Sequence, residues 1–164
     1  MKNNNSKKSN PQTSPLKKED NFLDLHKNIL FSAEYLLSQI QKKNVIQSPT
    51  NQNLQDKNLK NDNEIRPLIL SAMALLDTLC VPGIPTNTER EARFLLAKIY
   101  QNYCQEFEAE ETNLQKILLL NPTGITSAEW KLKIEILLIE FYLRANKTHF
   151  AIKRLEDMLL EARE

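Results

Sequence analysis

The side chains able to carry chemistry are few and scattered in this 164-residue sequence: His26 and His149, Cys80 and Cys104, the acidic run Glu106, Glu108, Glu110 and Glu111, and Trp130 followed by Lys131 and Lys133. An enzyme needs positioned acid, base, nucleophile or metal groups, which a sequence announces through motifs of fixed spacing. The two histidines fall in unrelated segments, and His26 has no second histidine within a helical turn. The two cysteines have neither a metal-ligand spacing nor the number for a disulfide framework, which predicts reduced, buried thiols in an intracellular protein. No HExxH, GxSxG, CxxC or phosphate-loop pattern occurs. The acidic run reads as surface charge that complements a helix N-terminus. Trp130 with its lysines reads either as a stacking platform for nucleic acid or as edge packing on an amphipathic helix, and the apolar period around it favours packing. The expectation is a protein that is not an enzyme, with no cofactor, no metal and no small-molecule substrate.

Composition narrows the elements that must position these groups. Only 2 glycines occur, where average usage would give roughly 11. Hairpin-rich β folds and glycine-dependent nucleotide loops are thereby disfavoured, and Leu, Ile and Ala dominate the apolar content. Net charge is +1, unevenly spread. Residues 1–62 carry ten basic and six acidic side chains, and residues 63–164 carry twelve and fifteen. The acidic balance of the second part predicts little direct nucleic-acid binding by it. The N-terminus lacks the apolar stretch of a secretory signal, and no segment approaches the roughly 18 apolar residues that span a membrane, so no membrane partner is expected.

Along the chain, residues 1–18 are polar and predict a disordered tail with a basic cluster. Phe22, Leu25, Ile29, Ala33, Leu36, Leu37 and Ile40 recur at steps of three and four, giving an N-terminal helix over about 21–43 within a unit spanning 19–43. The Asn/Gln-rich stretch 44–62 predicts a flexible insert. Within 63–164, Asn63 is expected to cap a helix over about 64–80, with Pro67 in its first turn. Thr88 and Glu91 form a capping-box pattern for a helix over about 89–104. Further helices are expected over about 107–120, 128–145 (capped by Ser127) and 149–162 (capped by Thr148).

The last four helices repeat. Tyr100 and Tyr142 are 42 residues apart, as are Leu96 and Leu138, and as are Ala109 and Ala151; Leu114 and Leu155 match with a slip of one. Leu and Tyr on a first helix with a small residue on the second is the packing logic of tetratricopeptide repeats. The predicted fold is all-α: tetratricopeptide-like antiparallel helix pairs in a right-handed superhelix. Leu96, Tyr100, Ala109, Leu138, Tyr142 and Ala151 are then its packing residues. In such repeats the concave face is lined by the first helix of each pair, which places Phe94, Lys98, Gln101, Ile136, Glu140 and Leu143 on a partner-binding groove. The competing reading of Phe94, Ile136 and Leu143 is packing between neighbouring repeats.

The blocks ILFSAEYLLSQI (29–40), ILSAMALLDTLC (69–80), EAR (91–93), AKIY (97–100), FEAEETNLQKIL (107–118) and the Lys147–Leu155 stretch, taken in order, resemble the amino-terminal part of the tetratricopeptide-type (adherin) subunit of the cohesin loader. The resemblance covers roughly residues 22–164. Members of that family are several times longer, and the insert at 44–62 is longer than their pattern. The resemblance implies a nuclear scaffold that grips the extended N-terminal segment of the loader's large HEAT-repeat subunit. It would support cohesin loading onto chromatin and sister chromatid cohesion, with ATP hydrolysis left to cohesin itself. A generic tetratricopeptide adaptor for another peptide is the alternative.

Overall fold

The computed structural model describes residues 16–46, 54–120 and 126–163, with side chains placed over 24–43, 63–120 and 128–163. Among these residues the protein is all-α. The helices are α1 (Leu16–Ile46), α2 (Leu54–Asp77), α3 (Thr86–Ile99), α4 (Phe107–Leu119), α5 (Thr126–Arg144) and α6 (Thr148–Glu161), with a π-helical turn over Tyr100–Cys104.

The helices pack as consecutive pairs, α1 on α2, α3 on α4 and α5 on α6, and α4 also packs on α5. The last pair runs antiparallel, because Lys131 near the start of α5 bonds Glu161 at the end of α6, and Glu135 bonds Arg154 between them. α3 is the central helix. Its Ala92, Leu96 and Ile99 face a core with Leu30 and Ala33 of α1 and Ala72, Leu76 and Leu79 of the second helix and its turn. Its Phe94 and Ala97 face a second core with Leu114, Ile117, Ile134, Leu138, Phe141, Tyr142 and Ala151. One amphipathic stripe cannot serve two cores, and α3 achieves this by burying residues on opposite sides.

Several boundaries differ from the sequence expectations. α1 starts at Leu16 and α2 at Leu54, so 16–18 and the parts 44–46 and 54–62 of the expected insert are helical. Leu, Lys and Gln in 16–18 and 54–62 are good helix formers. Residues 1–15 and 47–53, on which the rest of the tail and insert expectations fall, lie outside the described residues. Pro67 therefore sits inside α2 rather than in a first turn, where it leaves the Asn63 carbonyl without its helical donor. Leu25, expected on the buried stripe, is 51% exposed.

α3 begins two residues before the expected cap, after Pro85, and no side-chain cap forms. Thr88 is buried within the first turn instead. Lys147, not Thr148, holds the N-cap position of α6.

The π-turn explains the slip of one residue in the repeat. It ends at Gln105, whose backbone is left-handed (φ 55°) and whose N–H donates to the Tyr100 carbonyl at 2.8 Å. The matching left-handed break between α5 and α6 is Asn146 (φ 56°). Phe107 and Thr148, the first residues of α4 and α6, are thus 41 apart rather than 42. A wide turn holds one residue more than an α-helical one.

Candidate partner-binding face

α3 packs against α1 on one side and shares a buried core with α5 on the other. Residues 34–41 of α1 border residues 95–103 along a groove of about 200 Å³, lined by Glu34, Ser38, Gln41, Leu95, Lys98, Asn102 and Tyr103 among others. On the other side of α3, Phe94 meets Trp130 of α5 edge-on, with ring centroids 5.5 Å apart. Aromatic pairs favour this edge-to-face geometry.

Three cations gather around these two rings. Lys98 Nζ lies 4.6 Å and Lys133 Nζ 4.2 Å from the Phe94 centroid, and Lys133 is also 4.7 Å from that of Trp130. The Arg90 guanidinium stacks on Trp130 at 4.6 Å. Arg90 is only 4% exposed; its Nη2 donates to Asn87 Oδ1 at 3.0 Å, while Nε and Nη1 have no hydrogen-bond partner among the described residues. None of Arg90, Lys98 and Lys133 forms an ion pair with a described carboxylate. Ring quadrupoles attract such cations, by about 0.5–1 kcal/mol at exposed sites such as those of Lys98 and Lys133.

The six residues expected on the groove divide. Lys98 and Glu140 are exposed and Gln101 is half-buried. Ile136 and Leu143 are 45% and 53% exposed on α5. Phe94 is the correction: it is buried in the core beneath Trp130. It lies on the flank of α3 that packs towards α5, so it supports the face rather than contacting anything on it.

Of the repeat-packing residues, Leu96, Leu138, Tyr142 and Ala151 are buried. Tyr100 is half-buried against the first core. Ala109 is half-buried beside an open concavity lined by Tyr100, Glu106, Phe107, Glu108, Thr112 and Asn113. With α4 and α6 in 41-residue register, the counterpart of Ala151 is Glu110, and that side chain is buried.

The acidic run has a role that its surface-charge reading missed. Glu110 pairs with Arg144, and Glu111 accepts from Tyr142 Oη at 2.9 Å and from Lys147 Nζ at 3.0 Å. These bonds join the start of α4 to the end of α5, fixing the angle between successive pairs. The 41-residue register was the available signal, since it moves Glu110 into the buried position.

Burial pushes the Cys80 thiol up to about 11, against a weaker lowering by Arg93. Burial likewise raises Cys104, Tyr100 and Tyr103. Among the described residues no group of three His, Cys, Asp or Glu is placed to hold a metal ion, and no helix is long and apolar enough to cross a membrane. No protein-family model matches the sequence, and no curated protein or solved structure matches the chain.

Proposed function

We propose that this chain is a non-enzymatic, tetratricopeptide-like scaffold whose α1–α3–α5 face grips an extended segment of a partner protein. The partner proposed is the large HEAT-repeat subunit of the cohesin loader, and the setting is cohesin loading in the nucleus. Its chromatin contact is indirect, through that complex.

The observations that support this reading best are a groove between α1 and α3 and exposed apolar side chains, Ile136 and Leu143, on α5. An extended segment has its own ordering entropy to lose on binding, so a long face with spaced apolar anchors and polar groups between them suits it. The choice of partner rests on the resemblance of the ordered sequence blocks to the cohesin-loader subunit. Helix pairs that follow one another in a superhelix would carry the groove onward past α5.

A fluorescence anisotropy titration of the labelled N-terminal segment of the large subunit tests this. Saturable binding by the whole chain is expected. Lys98→Glu combined with Glu140→Lys should weaken it, mainly through faster dissociation, with helicity preserved because both side chains are exposed. Absence of binding overturns the cohesin-loader reading. Undiminished binding by the folded double variant removes this face from the interface.

A further inference from the structure

We propose that the α3–α5 part of this face selects acidic residues in the segment it binds, through Lys98 and Lys133 held over the Phe94 and Trp130 rings with Arg90 behind them. This rests on the preceding reading of the face as a groove for an extended segment and adds the chemistry of the occupant.

Two ammonium groups share one aromatic ring, and a third cation stacks on its neighbour. No described carboxylate forms an ion pair with any of them. The surrounding sequence is otherwise acidic, with twelve basic against fifteen acidic residues over 63–164. A compact positive patch on a negative background is a local feature and supplies no long-range attraction for a polyanion.

Geometry then decides what kind of anion fits. Arg90 is 4% exposed, so it does not meet a ligand directly. It adds positive potential from beneath Trp130, in surroundings where screening by salt is weak. Lys98 and Lys133 are exposed and keep N–H donors free of the rings for an incoming carboxylate. Lys98 also lines the α1–α3 groove, whose lining includes the polar side chains of Ser38, Gln41 and Asn102. On the other side, Ile136 and Leu143 stand exposed along α5. Carboxylates at the centre, backbone hydrogen bonds towards α1 and apolar anchors towards α5 describe an acidic, extended polypeptide with apolar residues interspersed. A nucleic acid would bring unbroken negative charge past Glu34 and Glu140 and find no row of cations to match it.

Trp130 is the single tryptophan of the chain and sits inside the patch, so its emission reports occupancy. The whole chain is titrated with a blocked peptide of alternating glutamate and leucine, with its glutamine–leucine counterpart, and with single-stranded oligothymidylate of equal charge. The acidic peptide should shift Trp130 emission saturably and bind several-fold more tightly than the glutamine peptide at low salt, with the difference shrinking as salt rises. Lys98→Gln with Lys133→Gln should weaken the acidic peptide by roughly five- to tenfold and leave the glutamine peptide unchanged, while circular dichroism confirms the fold. Equal affinity of the two peptides, or no effect of the double variant, overturns the acidic selection and leaves the groove reading standing. Tighter binding of oligothymidylate overturns it in favour of nucleic acid. Failure of both peptides to bind overturns it as well, and the groove reading then stands or falls on the anisotropy titration with the large-subunit segment.

Discussion

Tyr142 Oη donates a 2.9 Å hydrogen bond to Glu111 Oε1 and accepts one from Gln115 Nε2 at 3.3 Å, so one buried hydroxyl holds the end of α5 to two successive turns of α4. Lys147 reaches the other oxygen of the same carboxylate. Tyr142→Phe keeps the ring packing against Phe141 and Phe150 and removes only the hydroxyl. A loss of about 1 kcal/mol is expected, which lowers Tm by about 2–4 °C in a chain of this size. Thermal unfolding followed at 222 nm measures it, and an unchanged Tm would mean that the hydroxyl bond is not formed in solution.

The two alanines of the repeat should respond differently to enlargement. Ala151 is 1% exposed in the core between α5 and α6, and Ala151→Leu overpacks it at a cost of about 1–3 kcal/mol. Ala109 borders an open concavity, so Ala109→Leu has room and should cost less than half as much. Equal losses in urea unfolding of the two variants would contradict the 41-residue register of α4 and α6.

Cys80 provides a pH test. Its folded thiol stays protonated up to about 11, against an ordinary value of 9.0. In the unfolded chain the same thiol ionises near its ordinary value, so from pH 9 to 11 the unfolded state binds fewer protons than the folded one. Stability therefore falls as pH rises through that window and is unaffected by this group below it. The raised Tyr100, Tyr103 and Cys104 act in the same direction. The thiolate is the reactive form, so Cys80 should alkylate with iodoacetamide at pH 8 much more slowly in the native than in the urea-unfolded chain. Cys80→Ser should flatten part of the loss above pH 9. Equal alkylation rates in the two states would refute the half-buried, protonated thiol.

Much of the fold was legible because apolar residues at steps of three and four mark the buried faces. Ala33 and Ile40, Ala72 and Leu76, Ala92 and Leu96, and Ile134 and Leu138 are all buried as their spacing requires. Helix starts were less legible. Thr88–Glu91 has the pattern of a capping box, yet Pro85 in an extended conformation (φ −56°, ψ 133°) already starts α3, and a cap pattern inside a helix has no force. Pro67 suggested a helix start, whereas α2 tolerates it with favourable residues on both sides.

The candidate face was legible in part. Lys98, Ile136, Glu140 and Leu143 followed from counting along α3 and α5, because both helices keep an α-helical period through those positions. Phe94 did not, since periodicity places a residue on a flank without saying that another helix covers that flank. The cations around Phe94 and Trp130 come from residues 90, 98 and 133, on two helices separated by α4, and no local spacing announces such a gathering.

The central claim is that an extended partner segment lies along α1, α3 and α5. Amide hydrogen exchange, compared for the free chain and for its complex with the N-terminal segment of the loader's large subunit, tests it most directly. The account predicts slowed exchange in residues 34–41 of α1, in α3 with its π-turn, and in α5, with little change in α4 and α6. Protection confined to α4 and α6, with α3 and α5 unchanged, would contradict it.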